Sequence, residues 1–549
     1  MGSLSREVDE WTQEPISIRR EDQSLLLNEE WPRQAAPNNS KPRAASTSHR
    51  PDDGIVSYRK ADCFYAIFWS TDLLSPVAYI SAESANRTGS TLKKAVEHLS
   101  NPNTISLGGG IPLSDFFPID GISLRPSSFD NVETREKTSS QTTLHATKHD
   151  IADDTSVYDL SVALNYCPGY GSAQFMRWVI EHTEIVHDPP YADWQCSMTI
   201  GNTSAFDMCL RMLAQPGDCI LADKYTYSSS VETAMPLGVK FIGVDMDREG
   251  MLPDNLDEIL EKWNPAEHNN ARKPSVLYTI PTGQNPTGTT QSLQRRKAVY
   301  GVAQKHDLII LEDDPYYFLQ MDEYGSTASE IQSPVEFFKR LVPSYLRLDI
   351  DGRVMRMDSF SKVVSPGARL GWITAPAQLI ERYNIERYKS HSDVSTQSPS
   401  GLSQLVFFKL LDEHWGHEGY TRWLMHLRKQ YTMRRDFILS ACERYLPRQI
   451  VSWEPANAGM VQWLKVDWEQ HPNAKDKTAD LVEEEIWLES ISAGALVGRG
   501  SWFRSSKDVP CIDVFYRTTF AAAPLPKIEE AIKRFGEAIH KVFELKEKS

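Results

Sequence analysis

Between residues 198 and 375, short apolar segments alternate with stretches of helical spacing. The apolar segments are residues 219–222, 241–244, 276–280, 308–311 and 370–373. Strands that are apolar along their whole length are typical of parallel sheets covered by helices on both faces. We therefore predict an α/β fold with a mostly parallel sheet, and ligands that lie beyond the carboxyl ends of its strands.

The chain of 549 residues is too long for one compact core, so several domains are expected. Residues 1–55 are polar and rich in Ser, Pro and Asn, which predicts a disordered tail. We expect an N-terminal arm at residues 56–120 and a polar inserted loop at 121–157. A large domain is predicted at residues 158–395. The longer helical patterns of residues 396–549 predict a smaller α+β domain.

Charge and apolar content exclude several classes of protein. The formal net charge of −15 argues against nucleic-acid binding, which needs a basic face. No apolar run reaches the roughly 18 residues of a membrane span, and the polar start is unlike a secretory signal. The seven cysteines show no metal-binding or disulfide spacing. We predict a cytoplasmic protein without a metal site, a membrane or a nucleic-acid partner.

Residues 357–371 combine a lysine with hydroxyl groups and an arginine. Lys362 follows Ser359 and Ser361, and Arg369 stands seven positions further on. An imine-forming site beside a phosphate needs an amine nucleophile together with hydroxyls and a guanidinium that hold anionic oxygens. Taken alone, such a stretch is also compatible with a solvated surface turn.

Two further polar motifs follow apolar segments. They are Pro-Thr-Gly-Gln-Asn-Pro-Thr-Gly at residues 281–288 and Leu-Glu-Asp-Asp-Pro-Tyr-Tyr at residues 311–317. Because ligands bind beyond the carboxyl ends of parallel strands, we expect Asn285, Asp314 and Lys362 at the same edge of the sheet. On chemistry alone, Glu312 and Asp313 are rivals of Asp314 as the buried carboxylate.

Together the three stretches resemble the class I/II, fold-type I aminotransferases that use pyridoxal phosphate (PLP). The most similar group is that of the kynurenine/2-aminoadipate and fungal aromatic-amino-acid aminotransferases. The resemblance covers about residues 100–120 and 160–545. It implies a PLP-binding large domain with a seven-stranded sheet, a substrate-lining segment before residue 120, and a homodimer with shared active sites.

The resemblance also implies a role for individual residues. Lys362 would bind PLP and move the substrate α-proton, and the pattern Asp-x-Tyr-Tyr selects Asp314 as the partner of the pyridine nitrogen. Arg517 would bind the substrate carboxylate, with Asn285 and Gly110 also lining the substrate. The implied cofactor contacts are Lys362, Asp314, Tyr317, Asn285, Tyr227, Asn202, Thr203, Ser359, Ser361, Arg369 and Tyr166 of the partner subunit.

Two of these assignments stay open. Tyr225 is an alternative to Tyr227 for stacking on the pyridine ring. Thr203 stands where the family more often has Gly-Ser-Gln or a similar sequence, so it could hold phosphate through its side chain or its backbone.

The implied reaction transfers the amino group of an aromatic L-amino acid to a 2-oxo acid such as 2-oxoglutarate, giving the aromatic 2-oxo acid and glutamate. Donors would be Tyr, Phe or Trp, with kynurenine and 2-aminoadipate as further candidates. One alternative is a PLP-dependent lyase or synthase on the same fold. Another is a PLP-binding transcription regulator, but that would need a basic N-terminal domain, which residues 1–100 do not offer.

Overall fold

The computed structural model describes residues 80–87, 107, 110–127, 142–326, 331–380, 388–510 and 512–545. The predicted disordered tail and most of the predicted arm lie outside these residues. The chain divides into two compact units. Among the described residues, unit one holds residues 80–87, 107, 110–127, 142–215, 333–339, 343–380 and 388–423, and unit two holds residues 216–326, 331–332, 340–342, 424–510 and 512–545. The division falls within the helix Gly416–Tyr445, and the predicted domain boundary at residue 395 stays a prediction.

The strands of the described residues are numbered in chain order. They are β1 Gly121–Leu124, β2 Leu144–Thr147, β3 Trp194–Thr199, β4 Cys219–Asp223, β5 Lys240–Val244, β6 Met246–Asp247, β7 Gly250–Met251, β8 Val276–Thr279, β9 Ile309–Asp313, β10 Val354–Ser359, β11 Gly371–Pro376, β12 Val451–Ser452, β13 Val461–Val466, β14 Gly498–Arg499 and β15 Val514–Thr519.

Seven of these strands form one sheet in the order β3-β11-β10-β9-β8-β4-β5. In unit two, β9, β8, β4 and β5 are all parallel. In unit one, β11 lies antiparallel between β3 and β10. Every residue of β4, β8 and β9 is buried, as expected for strands covered on both faces. The predicted α/β fold with a mostly parallel seven-stranded sheet is therefore confirmed.

A second sheet belongs to unit two and has the order β12-β13-β15-β14, with antiparallel pairing throughout. Its core includes Leu464 and Tyr516, packed with the buried face of the helix Leu525–Val542. That helix follows Pro524, and its buried residues Ile528, Ile532, Phe535 and Ile539 recur at the spacing of one helical face.

The remaining helices connect or cover the strands. The α-helices are Ala82–Asn86, Leu160–Ala163, Ala173–His187, Asn202–Leu213, Ser228–Ala234, Pro253–Glu261, Leu293–Lys305, Pro334–Arg340, Tyr345–Leu348, Ala377–Ile380, Tyr388–Ser395, Gly401–Phe407, Gly416–Tyr445, Ala479–Ser492 and Leu525–Val542, and a π-helix spans Phe408–Trp415. Within the described ranges, none of them has the length and apolar character of a bilayer-crossing helix.

The segment predicted as a polar inserted loop, residues 121–157, contains regular structure. Strand β1 pairs antiparallel with β2, with Gly121 opposite Thr147 and Leu124 opposite Leu144. Asp150 then accepts hydrogen bonds from the backbone and hydroxyl of Thr147. Both strands are only four residues long and lie in a polar segment, so their brief alternation of apolar and polar residues was too short to predict the pairing.

Candidate active site

Lys362 stands in a tight turn of unit one, directly after β10. The turn winds around the backbone carbonyl of Phe360, which accepts hydrogen bonds from Val364 over 2.9 Å and Ser365 over 3.1 Å. The Phe360 ring is buried, with its centroid 5.0 Å from that of Phe407. A buried aromatic at the centre of the turn fixes the backbone that carries the half-buried Lys362.

The predicted hydroxyl and arginine contacts lie on both sides of this lysine in sequence and are linked to each other. Ser359 donates from Oγ to Ser361 Oγ over 2.8 Å, and Arg369 donates from Nη1 to Ser361 Oγ over 3.3 Å. Arg369 also donates to the carbonyl of Ile200 over 2.9 Å, which brings its guanidinium to the loop before the helix Asn202–Leu213. The structure thus joins Ser359, Ser361 and Arg369 in one cluster.

The helix Asn202–Leu213 begins beside this arginine. Its N-cap residue Gly201 has φ +100°, and an added Cβ would stand 2.3 Å from Arg369 Nη2, so only glycine allows the approach. Asn202 donates from its amide to the Met357 carbonyl over 3.0 Å, while Thr203 is exposed in the first turn. A helix N-terminus carries partial positive charge and donor N–H groups, which suits an anion.

Tyr166 and Gly110 both lie at the surface of unit one. The Tyr166 side chain is 71% exposed, so it is not the core residue that an isolated tyrosine would more often be. Its neighbour Asn165 donates to the carbonyl of Pro112 over 3.4 Å, close in sequence to Gly110. Among the described residues, an added Cβ at Gly110 would meet no atom within 4 Å.

In unit two, the three consecutive carboxylates at the end of β9 have different partners. Glu312 lies 3.9 Å from Nη1 of Arg296, and both side chains are fully buried. Asp313 accepts from the Tyr278 hydroxyl over 2.7 Å. Asp314, only 2% exposed, accepts from the Thr282 hydroxyl over 2.9 Å. Because Glu312 is the buried partner of Arg296, Asp314 is the better candidate for the functional carboxylate.

Asn285 and Arg517 meet directly. Arg517 lies on β15, opposite Trp463 of β13, and donates from Nη1 to Asn285 Oδ1 over 2.9 Å. Its guanidinium carbon stands 4.5 Å from the centroid of the Phe503 ring. Burial lowers the pKa of Arg517, and the nearby hydroxyls of Tyr316 and Tyr227 partly oppose this shift. The structure therefore brings Asn285 and Arg517 into direct contact, with Tyr227 among the groups near the guanidinium.

The ring of Tyr225 has a different position from that of Tyr227. Tyr225 is buried, with its centroid 5.5 Å from Trp463 and 5.2 Å from Phe515. Tyr227 is half-buried and immediately precedes the helix Ser228–Ala234. Because Tyr225 is packed among aromatic residues of unit two, Tyr227 is the better candidate for stacking on a cofactor ring. Tyr317, also predicted as a contact, is buried two residues after Pro315.

Sequence reasoning missed the residues that support the 281–291 loop. Arg296 donates to the Pro281 carbonyl over 3.2 Å, and Gln284 donates to the Tyr225 carbonyl over 2.5 Å. Gly283 and Gly459 approach so closely that an added Cβ on Gly283 would stand 2.6 Å from the Gly459 nitrogen. The sequence carries no signal of these tertiary contacts. Neither the Pro-Thr-Gly motif nor the position of Arg296, eight residues after Gly288, indicates them.

A comparison with family profiles and a comparison with individual proteins give the same family. The sequence profile described as aminotransferase class I and II matches residues 138–535. An aromatic amino acid aminotransferase of Schizosaccharomyces pombe is 42% identical over 471 residues, which are 85% of this chain and 98% of that protein. The chain belongs to the class I and II aminotransferases.

Two further relatives narrow the comparison. An L-tyrosine:2-oxoglutarate aminotransferase of Serpula lacrymans is 36% identical over 486 residues, covering 80% of this aminotransferase and 91% of the relative. The crystal structure of aminotransferase Aro8 from Candida albicans has a TM-score of 0.79 and 37% identity, and covers 85% of this chain and 98% of that one. The predicted fold-type I architecture is confirmed by this likeness.

Family membership makes the protein a PLP-dependent aminotransferase, whose substrates are an amino acid and a 2-oxo acid. The described residues fit that cofactor in chemical terms. Unit one offers a phosphate a helix N-terminus, the Ser359 and Ser361 hydroxyls and the Arg369 guanidinium. Unit two offers a pyridine nitrogen the buried Asp314 carboxylate. The donors and the cation of unit one suit an anionic phosphate, and the carboxylate of unit two suits a protonated pyridine nitrogen.

Proposed function

We propose that this aminotransferase transfers the amino group of an aromatic L-amino acid to a 2-oxo acid such as 2-oxoglutarate. Relatives that cover most of the chain are named for aromatic amino acids and for L-tyrosine with 2-oxoglutarate. The aromatic surroundings of Arg517 support the same substrates. Phe503 lies under its guanidinium, and Trp463 and Phe515 stack with ring centroids 5.0 Å apart. Such rings favour an aromatic substrate side chain.

We assign the central roles to Lys362 and Asp314. PLP, when bound, supplies the electron sink of the reaction. Lys362 holds the cofactor and moves the α-proton of the amino acid, which requires a neutral amine. Asp314 keeps the proton on the pyridine nitrogen through its buried carboxylate. Both assignments rest on the motifs that carry these residues, and the local geometry of each turn supports them.

The remaining assignments divide between orientation of the cofactor and binding of the substrate. Arg517 binds the substrate carboxylate, and Asn285 and Gly110 line the substrate. Arg517 already donates to Asn285, so the substrate carboxylate would approach a guanidinium of fixed position. The residues assigned to the cofactor are Asn285 and Tyr317 at its phenolic oxygen, Tyr227 on its ring, and Asn202, Thr203, Ser359, Ser361 and Arg369 at its phosphate.

We infer a homodimer in which Tyr166 reaches the phosphate of the neighbouring site. In unit one, apolar side chains near this tyrosine in the fold are exposed, among them Phe116 at 82% and Ile111 at 48%. Exposed apolar groups clustered with an exposed tyrosine are typical of protein interfaces. Sedimentation analysis of the full chain tests the dimer, and a monomer would refute it. The cytoplasmic location stays a prediction.

Absorbance spectroscopy of the holoenzyme tests the proposed activity. We expect Tyr, Phe or Trp, added without any oxo acid, to convert the visible band of the bound cofactor to that of its amine form. Subsequent addition of 2-oxoglutarate should restore the band. Aspartate and alanine are the controls, because they lack an aromatic side chain. Equal conversion by all amino acids would refute the aromatic preference, and a steady release of product from substrate alone would indicate a lyase instead.

A further inference from the structure

Arg296 is a fully buried arginine that no sequence motif singled out. It lies on the helix Leu293–Lys305 and donates to the carbonyls of Gln291 and Pro281, each over 3.2 Å. A third hydrogen bond runs from its Nη2 to the Thr282 hydroxyl over 2.9 Å. Glu312, equally buried, stands 3.9 Å from Nη1 and balances the charge. A buried guanidinium needs such partners.

The Thr282 hydroxyl links Arg296 to Asp314, the carboxylate assigned to the pyridine nitrogen. Thr282 Oγ1 accepts from Arg296 and donates to Asp314 Oδ2, which lies 2.9 Å away. The direction of this second hydrogen bond is fixed by chemistry. A guanidinium has donors only, so the hydroxyl must accept from Arg296 and keeps its single proton for Asp314. An ionised carboxylate is an acceptor only, so the chain of donors ends at Asp314.

We propose that Arg296 and Thr282 are positioning residues that keep Asp314 ionised and oriented towards the pyridine nitrogen of PLP. This inference rests on the role proposed above for Asp314. A hydrogen bond donated to a carboxylate favours its charged form and makes it a weaker base. When a carboxylate and a pyridine nitrogen share one proton, a weaker carboxylate base leaves that proton on the nitrogen. The buried charge of Arg296 would act on the proton through the Thr282 hydroxyl.

A purely structural role for the same residues is the competing explanation. Arg296 holds the 281–291 loop through two carbonyls, so its loss would also disturb the backbone of Asn285. Thr290 provides a matched comparison. Its hydroxyl accepts from the Gly283 N–H over 3.0 Å and so fixes the same loop without belonging to the route from Arg296 to Asp314.

The test compares Thr282→Val, Thr282→Ser and Thr290→Val as holoenzymes loaded with PLP that carries ¹⁵N in its ring. Valine keeps the shape of threonine but removes the hydroxyl, whereas serine keeps the hydroxyl. We expect the ring-nitrogen shift of Thr282→Val to move towards that of unprotonated pyridine. Its first half-reaction should slow about tenfold to hundredfold, the scale for one hydrogen bond to a charged group. Thr282→Ser should restore both values.

Thr290→Val should leave the nitrogen shift at its wild-type value, even if its melting temperature falls. The proposal is overturned if Thr282→Val keeps the wild-type shift, or if Thr290→Val moves it equally. Arg296→Gln should move the shift in the same direction as Thr282→Val, and if it does not fold, Thr282→Val decides alone. An unprotonated ring nitrogen in the wild type would instead refute the role of Asp314 itself.

Discussion

Arg517 donates a hydrogen bond from Nη1 to the Oδ1 atom of Asn285 over 2.9 Å. Because a guanidinium cannot accept, this contact fixes the orientation of the Asn285 amide. The amide oxygen faces Arg517, and the two N–H groups of Asn285 face elsewhere as donors. A donor at this position suits the proposed contact with the phenolic oxygen of PLP, so one hydrogen bond links the residue assigned to the substrate with a residue assigned to the cofactor.

Replacing Arg517 should affect substrate binding first. We expect Arg517→Ala to raise KM for the amino acid about tenfold to hundredfold, since a charged hydrogen-bonding partner of the carboxylate is lost. The visible band of the bound cofactor should remain. Arg422→Ala is the control, because Arg422 is exposed and its partner Glu418 belongs to the same helix. An unchanged KM in Arg517→Ala would contradict the assignment.

Lys362→Ala should remove the visible band of the bound cofactor, because no other amine in its turn can bond to the aldehyde. The control is Lys224→Ala, which removes a half-exposed lysine paired with Asp245 over 2.8 Å. Absorbance of both variants after reconstitution with PLP gives the answer. A band that persists in Lys362→Ala and is lost in Lys224→Ala would transfer the role to the other lysine.

The neighbouring carboxylates allow a paired test at the end of β9. We expect Asp314→Asn to lower turnover about 100-fold or more, the scale of losing one electrostatic contact to the reacting charge. Asp313→Asn should retain turnover, because Asp313 accepts from the Tyr278 hydroxyl, and an amide oxygen can also accept that bond. Steady-state kinetics of the two variants decides between them, and the reverse order of losses would point to Asp313.

Mixing two inactive variants tests whether each active site is shared between two subunits. Tyr166→Ala and Lys362→Ala should each be nearly inactive as pure proteins. In a mixed dimer, one site would carry both changes and the other neither, so activity should return on mixing. About a quarter of the wild-type value is expected, since half of randomly paired dimers are mixed. No recovery after exchange of subunits would show that Tyr166 does not serve the neighbouring site.

Asp223 should make stability depend on pH. Burial raises the pKa of this fully buried carboxyl from its ordinary 3.8 to about 7, and the Thr279 hydroxyl partly offsets the shift. Between these values the unfolded chain releases a proton that the folded chain retains. The free energy of unfolding should therefore fall as pH rises from about 4 to 7, by about 1.4 kcal/mol per unit.

Asp223→Asn removes this titration. The melting temperature of the variant minus that of the wild type should therefore be higher at pH 8 than at pH 5. Thermal unfolding of both proteins at the two pH values measures the difference. The same difference at both values would contradict the raised pKa.

The parts of the fold that follow from local pattern could be predicted from the sequence. The apolar runs of β4, β8 and β9 predicted buried parallel strands, and the helical patterns of residues 396–549 include the spacing of Ile528, Ile532 and Phe535 on one helical face. The pairing of β1 with β2 could not be predicted, because Ala146 is the only residue of these strands that is buried. Strands this short depend on tertiary context more than on their own alternation of residues.

The residues of the candidate site likewise divide into those that a local motif indicates and those that depend on tertiary contacts. The lysine, the carboxylates and Arg517 were predicted as candidates because their motifs resemble those of a known family. The choice between Tyr225 and Tyr227 needed the contact of the Tyr225 ring with Trp463, which lies more than two hundred residues away in sequence. Thr282 and Arg296 were missed for a similar reason. Their hydrogen bond joins a loop to a helix fourteen residues later, and no local pattern reports such a contact.

The close approach of Gly283 and Gly459 bears on efforts to alter the substrate range by directed evolution. An added Cβ at either position would stand less than 3 Å from the backbone of the other, and both residues have positive φ. A side chain at either glycine would displace the loop that carries Asn285, whatever the chosen substrate. Randomised libraries should keep these two codons fixed and place their diversity at aromatic positions near Arg517, such as Trp463 and Phe503.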